Sequence, residues 1–382
     1  MTLEELRRHL DGVDQQLLEL IADRQATSRE IARVKRAVGQ ATRDYARERD
    51  VVMGARARAE ELGVSGDVAE ALMRLLIRTS LTTQEQASVA AQAAGNGRRA
   101  LVIGGAGKIG GWFAQFLASQ GFEVQIADPA ASAASGQMPA PLADWAQSDL
   151  SHDFIVLATP LGATNAIMKQ LAQRRPPGVV FDVGSLKSPL RSGLEALQAA
   201  GVRVTSLHPM FGPDTELLSG RHVIHIDLGV PEAREKVQAL FAATMAEQVV
   251  MNIDEHDRLI AYVLGLSHAV NIAFFTALAA SGESAPRLVQ LSSTTFDAQF
   301  DIASKVAEES PELYYEIQHL NDFGAESLDA LSRAVADLRY RHRAFLVRKH
   351  HQHGQSPGKR RHEIRVVGKL LDRRRGQYVR IE

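Results

Sequence analysis

The chain has 382 residues, 45% hydrophobic and 23% charged, with 29 Gly, 13 Pro and no Cys. That length predicts two or three domains, the composition excludes a disordered or fibrous chain, and the lack of Cys excludes disulfides, thiolate metal sites and cysteine nucleophiles. The formal net charge of -1 is unevenly spread: from Arg341 to Glu382 thirteen Lys and Arg face three Asp and Glu, so an acidic body precedes a basic tail and nucleic acid is not the expected partner. The opening Met1-Thr2-Leu3-Glu4-Glu5 carries acids and no apolar run of signal length, so a cytoplasmic location is expected.

Leu3, Leu6, Leu10, Val13, Leu17, Leu20, Arg24, Thr27, Ile31, Val34 and Val38 recur at spacings of three and four, which predicts one amphipathic helix. At 1.5 Å per residue it is about 55 Å long. Gly39 ends it. A second helical pattern runs from about Arg43 to Glu61, and after Gly63 a third, capped by Asp67, continues to about Ala91. The second helix is too short to cover the long apolar seam, so burial against a second copy of the chain is expected. Arg24 and Thr27 interrupt that seam. A buried guanidinium requires an anion, and Arg7, Lys35, Arg43, Arg47 and Arg49 supply further cations, for an anionic ligand or for ion pairs with Glu48 or Asp44.

Ala93 to Gly97 reads as a linker of small residues, after which short apolar runs alternate with helical stretches, the pattern of βαβ units. The first run ends in Gly104-Gly105-Ala106-Gly107-Lys108-Ile109-Gly110, where Gly105, Gly107 and Gly110 match G-x-G-x-x-G and a helical pattern follows. Such a turn lets the backbone, including Lys108 and Ile109, approach a pyrophosphate at a helix N-terminus. Asp128, closing the next run, is placed to accept the ribose hydroxyls. An acid there repels a 2'-phosphate, so NAD rather than NADP is the expected cofactor. Later runs deliver Thr159, Ser185 with Lys187, and His208 to their carboxyl ends, the edge where open parallel sheets bind ligands. From about Val230 helical patterns dominate. Leu259 to Ala280 is long enough to span a membrane, but Ser267, His268, Asn271 and Thr276 interrupt it, and it is expected to be a buried helix of a helical domain. Neither a membrane nor a metal is expected as a partner.

Arg7, Arg24, Lys35, Asp44, Arg47, Glu48, Ser80 and Gln84 resemble, in type and spacing, the active-site set of the all-helical chorismate mutases, over about residues 1 to 90. The resemblance implies an intertwined homodimer in which Arg7 reaches the partner chain's site. It also implies that Arg24, Arg7 and Arg47 bind the carboxylates of chorismate, and that Lys35 and Gln84 stabilise charge on the breaking ether oxygen. Glu48 would hold the substrate hydroxyl, with Asp44 and Ser80 completing the lining.

Asp182-Val183-Gly184-Ser185-Leu186-Lys187, Leu207-His208-Pro209-Met210-Phe211-Gly212-Pro213 and Glu255-His256-Asp257 resemble prephenate dehydrogenase, from about Arg99 to Tyr340. This likeness implies that His208 is the catalytic histidine on the ring hydroxyl of prephenate and that Ser185 helps to orient it. A free imidazole titrates near pH 6.5, so activity is expected to fall at acid pH within about a unit of that value. The family's arginine for the pyruvyl carboxylate aligns with Lys305, with Arg258 as an alternative. His268 aligns with a histidine that relatives associate with tyrosine sensitivity. The whole chain therefore resembles the bifunctional chorismate mutase/prephenate dehydrogenase family of tyrosine biosynthesis. The alternative is a monofunctional prephenate or arogenate dehydrogenase with a non-catalytic helical arm. The expected fold is multidomain: an all-α three-helix module over 1-92, an α/β Rossmann-type NAD domain over 98-228, an all-α substrate and dimerisation domain over 229-345, and a disordered basic tail over 346-382.

Overall fold

Helix α1 (Leu3–Ala37) begins at a reciprocal cap: the Thr2 hydroxyl accepts the Glu5 amide at 3.2 Å while the Glu5 carboxylate accepts the Thr2 amide at 2.7 Å. Helix α2 (Tyr45–Glu61) starts at Asp44, whose carboxylate accepts the Arg47 amide. Helix α3 (Gly66–Gln92) starts after Ser65, so Asp67 stands within its first turn rather than at its cap. In the computed structural model, residues 1–131, 140–308, 311–352, 368–372 and 377–381 are described, the side chains of 311–313 and of 341 onward excepted.

The expected seam turns outward. Leu10, Leu17, Leu20, Ile31 and Val34 are exposed in the single chain, and α1 meets α3 through Ser28 and Ala32, with Arg24 and Lys35 on the same side. Thr27, expected in the seam, is exposed, and its neighbour Ser28 is buried instead. A straight helix drifts by about 20° per heptad against a strict 3.5-residue repeat, enough over 35 residues to separate two stripes.

After the linker the chain builds a seven-stranded sheet. It contains β1 (Arg99–Ile103), α4 (Lys108–Ser119), β2 (Glu123–Ala127), β3 (Phe154–Leu157), α5 (Leu161–Arg174), β4 (Val179–Asp182), α6 (Arg191–Ala199) and β5 (Arg203–Pro209). It then continues with β6 (His222–Ile226), α7 (Pro231–Leu240) and β7 (Glu247–Met251). The order is β2-β1-β3-β4-β5-β6-β7, with β2 to β5 parallel and β6 antiparallel to β5. The boundary expected at residue 228 therefore falls inside the sheet, which runs on to Met251. Two five-residue strands flanking α7 leave too little periodicity to be seen beside that helix.

Alternation along each strand serves two apolar layers. Leu101, Ile103, Ile155 and Leu157 face α5 and α6 through Met168, Leu171, Leu194 and Leu197. Ala100, Val102, Phe154 and Val156 face α4 and α7 through Phe113, Leu117, Val237 and Phe241. The strand order reverses between β1 and β3, which opens the crevice where sheets of this kind take their ligands.

Helices α8 (Ile253–Ile260), α9 (Ser267–Ala280), α10 (Ala285–Gln290), α11 (Thr294–Ala307) and α12 (Pro311–His319) follow, with a wide π-type turn at Ala261–Leu266 joining the first two. The segment expected to be a buried helix is mostly exposed in one chain, since Leu259, Tyr262, Val263, Val270 and Ile272 all face outward. Burial there would require a surface from outside the chain. Residues Met1–Leu328 form one unit and Asp329–Glu382 a second. Helix α13 (Gly324–Gln352) carries the chain into the second unit, where β8 (Gly368–Asp372) and β9 (Gln377–Ile381) pair antiparallel. The rest of the basic tail lies outside the described residues.

Candidate active sites

The helical module gathers its polar residues between α1 and α3. Arg24 donates to the Leu76 carbonyl at 2.6 Å and to the Ser80 hydroxyl, both neutral acceptors. Burial lowers its pKa, and among the described residues no carboxylate balances its charge. An anion is what this guanidinium lacks. The Gln84 amide donates to Ser28 at 2.9 Å, and its oxygen is buried with no partner among the described residues. Lys35 donates to the Thr42 carbonyl at 2.7 Å. Glu48 is held in a two-point pair by Arg43, at 2.8 and 3.0 Å, so the ion pair considered for these cations forms on Arg43. Arg7 and Arg47 are exposed, and Asp44 is occupied as the cap of α2. Sequence reasoning missed Ser28, whose hydroxyl links Gln84 to the Ser80 carbonyl. Its small size made it look like any helix-surface residue.

In the sheet, a cavity of about 600 Å³ is lined by Gly104, Gly107, Asp128, Thr159 and Pro160 at the carboxyl ends of β1, β2 and β3. Gly104 has φ +86°, and a side chain there would run into the Ala158 carbonyl; one at Gly110 would strike the Gly104 carbonyl. The close backbone approach that a pyrophosphate needs is thus built in. Gly104 itself was not singled out from sequence, because it lies one residue before the motif. Asp128 accepts the Ala106 amide at 3.2 Å and the Ala130 amide at 2.8 Å, which fixes its carboxylate at the rim. Lys108 and Ile109 open α4, and the Thr159 hydroxyl is held by Thr164 at 2.8 Å. A dinucleotide fits this arrangement: apolar walls, an N-terminal helix turn and an acid for the ribose.

His208 stands on β5, nearly fully buried, with its Nδ1 2.9 Å from Nε2 of His256. His256 Nδ1 is in turn 2.6 Å from the Asp257 carboxylate. That carboxylate also accepts the amides of Lys187 at 3.0 Å and Ser188 at 2.5 Å, together with the Ser188 hydroxyl. Lys187, wholly buried, donates to Asp182 at 2.7 Å and to the Leu207 carbonyl at 2.8 Å, which anchors the end of β5. Burial holds the His208 imidazole well below the ordinary histidine range, with His256 and Lys187 adding to the effect. Burial likewise lowers His256, against the opposing pull of its hydrogen bond to Asp257. For Asp257 burial is the largest influence and acts upward, but the bonds from His256 and Ser188 together outweigh it and leave the carboxyl below its usual range.

These contacts assign the protons. Asp257 is ionised and can only accept, so His256 carries its proton on Nδ1 and presents a bare Nε2. His208 must then donate from Nδ1, which leaves its own Nε2 as a free base. The sequence motif contained His256 and Asp257, but nothing in their spacing joins them to a residue 48 positions earlier.

Ser185 lies half-buried in the turn after β4. Lys305 is exposed on α11, with no hydrogen bond or ion pair among the described residues. Arg258 packs its guanidinium over Phe323 at 4.8 Å. His268 meets Tyr314 edge to face at 4.8 Å. The structure thus unites His208 with His256, Asp257 and Lys187, and among the described residues no hydrogen bond or ion pair ties Lys305 to that cluster.

Three family models match successive parts of the chain: chorismate mutase type II over residues 6–85, the nucleotide-binding domain of prephenate dehydrogenase over 113–249, and its dimerization domain over 252–343. The chain is 28% identical over 319 residues to a T-protein of Enterobacter agglomerans, covering 82% of this chain and 81% of that protein. It is 27% identical over 322 residues to a T-protein of Haemophilus influenzae, covering 82% and 80%. A crystal structure of prephenate dehydrogenase from A. aeolicus, in complex with hydroxyphenyl propionate and NAD+, shares the fold, with a TM-score of 0.52 and 20% identity over 67% of this chain and 93% of that one. With a mutase model in front of two dehydrogenase models in one polypeptide, the chain belongs to the bifunctional chorismate mutase/prephenate dehydrogenase family, NAD-dependent enzymes of tyrosine biosynthesis.

Proposed function

We propose that the chain runs its two reactions on separate residue sets, in a cytoplasmic homodimer whose second copy covers the outward seam of α1 and the exposed faces of α8 and α9. In the first reaction Arg24, Arg47 and Arg7 of the partner subunit clamp the two carboxylates of chorismate in the folded conformer, replacing diffusional encounter by fixed geometry. Lys35 and Gln84 face the ether oxygen as its bond breaks and negative charge develops. Turning the Gln84 amide lets its oxygen accept from the Ser28 hydroxyl, which gives up its long 3.4 Å bond to the Ser80 carbonyl, and frees an N–H for that task. Glu48 receives the substrate hydroxyl, while Ser80 holds Arg24 in place.

In the second reaction His208 Nε2 accepts the ring hydroxyl proton of prephenate while the carbinol carbon gives up its hydride. NAD, when bound, supplies the hydride acceptor; the turn at Gly105, Gly107 and Gly110, with Lys108, Ile109, Asp128 and Thr159, holds it. The ring carboxylate then leaves as carbon dioxide, and its bonding electrons complete the aromatic ring of 4-hydroxyphenylpyruvate. Ser185 orients the substrate beside His208, and Lys305 faces the pyruvyl carboxylate as a single point charge rather than a fork.

The observation that carries this reading is the Asp257–His256–His208 relay at the carboxyl edge of the sheet, a base with its second nitrogen committed. Steady-state assays with chorismate alone, and with prephenate plus NAD, test it. Turnover of both substrates is expected; loss of the first alone would support a dehydrogenase with a non-catalytic arm. Sedimentation equilibrium at micromolar concentration should report a dimer.

A further inference from the structure

Glu85 is a buried carboxylate that neither site uses. It follows Gln84 on α3 and is only 4% exposed, yet it turns away from the mutase residues toward the sheet domain. One oxygen accepts the Leu218 amide at 2.7 Å and the other accepts the Met245 amide. Burial pushes its pKa up, and the two amide bonds oppose that shift. A carboxylate is the one side chain of this length that can accept both. A Gln at this position would turn an N–H toward one of the donors, and Ala would leave both donors unpaired.

Both donors belong to the dehydrogenase part of the chain. Leu218 lies in the segment that runs on from His208 through Met210 and Phe211 to β6, and Met245 lies just before β7. A second tie reaches the same segment: Arg43, already paired with Glu48, donates to the Ser219 hydroxyl at 2.7 Å. A third comes from the cofactor side, where Trp112 on α4 donates to the Thr215 carbonyl at 2.9 Å and packs on Phe211 with ring centres 4.9 Å apart. Among the described residues, two of the three side-chain hydrogen bonds that reach this stretch from other elements therefore come from the mutase module.

We propose that Glu85 is a positioning residue for the dehydrogenase reaction: from the mutase helix, with Arg43 on Ser219 beside it, it fixes the segment that continues from His208 and so sets where prephenate sits against that base. The proposal rests on the two-site reading above. It makes the mutase module a working part of the dehydrogenase site. Displacement of reacting groups by as little as about 1 Å costs up to roughly 10²-fold in rate, so a loosened segment should be visible in the kinetics.

The test compares full-length Glu85→Gln and Ser219→Ala proteins with the wild type, each assayed for both reactions and for its unfolding midpoint. Glu85→Gln should lower dehydrogenase kcat/KM for prephenate by about tenfold, the scale of one lost charge-assisted hydrogen bond. The KM for NAD should stay within about twofold, because no residue of this segment lines the cofactor cavity. Ser219→Ala should show a smaller loss of the same kind, about threefold, with mutase kcat/KM unchanged. Wild-type dehydrogenase constants in a folded Glu85→Gln protein would overturn the proposal. So would parallel losses in prephenate, NAD and chorismate kinetics, which mark a merely structural tie. If Glu85→Gln does not fold, Ser219→Ala decides, and wild-type constants there refute the idea. A wild type inactive on prephenate would instead refute the two-site reading, a result distinguishable from both.

Discussion

His208 and His256 face each other Nδ1 to Nε2 at 2.9 Å, with their rings inclined at 67°, and this contact determines which nitrogen of His208 is a base. Because Asp257 claims the proton on the far side of His256, the pair has one neutral arrangement in which every hydrogen bond has a donor and an acceptor. It leaves His208 Nε2 unprotonated, free to act as a base.

His208→Asn should lower dehydrogenase turnover by roughly 10²- to 10⁴-fold and spare the mutase reaction. The base works only when neutral, so activity is present above its pKa and lost as pH falls through it. Burial lowers that pKa, so the acid limb of kcat/KM should lie well below the 6.5 of a free imidazole, where the sequence alone places it within about a unit of that value. His256→Gln should cost roughly 10- to 100-fold in kcat with a smaller change in KM, since it disturbs the base without removing it. A pH–rate profile checks both: an acid limb that survives unchanged in His208→Asn would assign the base elsewhere.

Arg24 is a partly buried mutase cation with no counter-charge among the described residues, so its removal should be felt by substrate carboxylates and little by the fold. Arg24→Ala should reduce mutase kcat/KM by roughly 10²-fold or more, on the basis of about 1.5 to 3 kcal/mol per hydrogen bond to a charged group. Circular dichroism should report a helical protein of wild-type content. Near-normal chorismate turnover would remove Arg24 from the site.

Asp128 should govern cofactor choice. Asp128→Ser removes the charge that repels a 2'-phosphate and the acceptor for the ribose hydroxyls, and should weaken NAD binding by about 1 to 2 kcal/mol while improving NADP. KM values for the two cofactors measure this directly. Unchanged values for both would show that another residue reads the ribose.

His225 makes the fold sensitive to acid. It is wholly buried, its Nε2 lies 2.9 Å from Gln248, and burial drives its pKa down to about 4. The unfolded chain takes up that proton near pH 6.5, so the folded state binds fewer protons across the window from 6.5 down to about 4. Stability is full above 6.5 and falls as pH drops, by up to about 1.4 kcal/mol per unit for this one group. Urea titrations at pH 7 and pH 5 should therefore show about 2 kcal/mol lost from His225 alone. A His225→Phe protein should show a shallower dependence, and an identical slope would assign the loss to other groups.

What the sequence determined by itself is whatever depends on near neighbours along the chain. The apolar period of α1, the glycine spacing from Gly105 to Gly110, Asp128 at the end of β2 and His208 at the end of β5 are all local, because a helix face or a strand end is set within a few residues. The mutase set was recognised by its resemblance in residue type and spacing, whereas the side of α1 that Arg24 and Lys35 share emerged only in the structure. Register between helices was not, and it put Ser28 rather than Thr27 against α3. The extent of the sheet to Met251 was also hidden, since β6 is held by pairing with β5 and β7 rather than by a strong pattern of its own. Only the tertiary structure decided the tautomer of His208, through a partner 48 residues away, and the place of Glu85, whose two donors lie 133 and 160 residues further on. Buried polar groups must find partners wherever the fold supplies them. Their identity is therefore a property of packing, which no local spacing records.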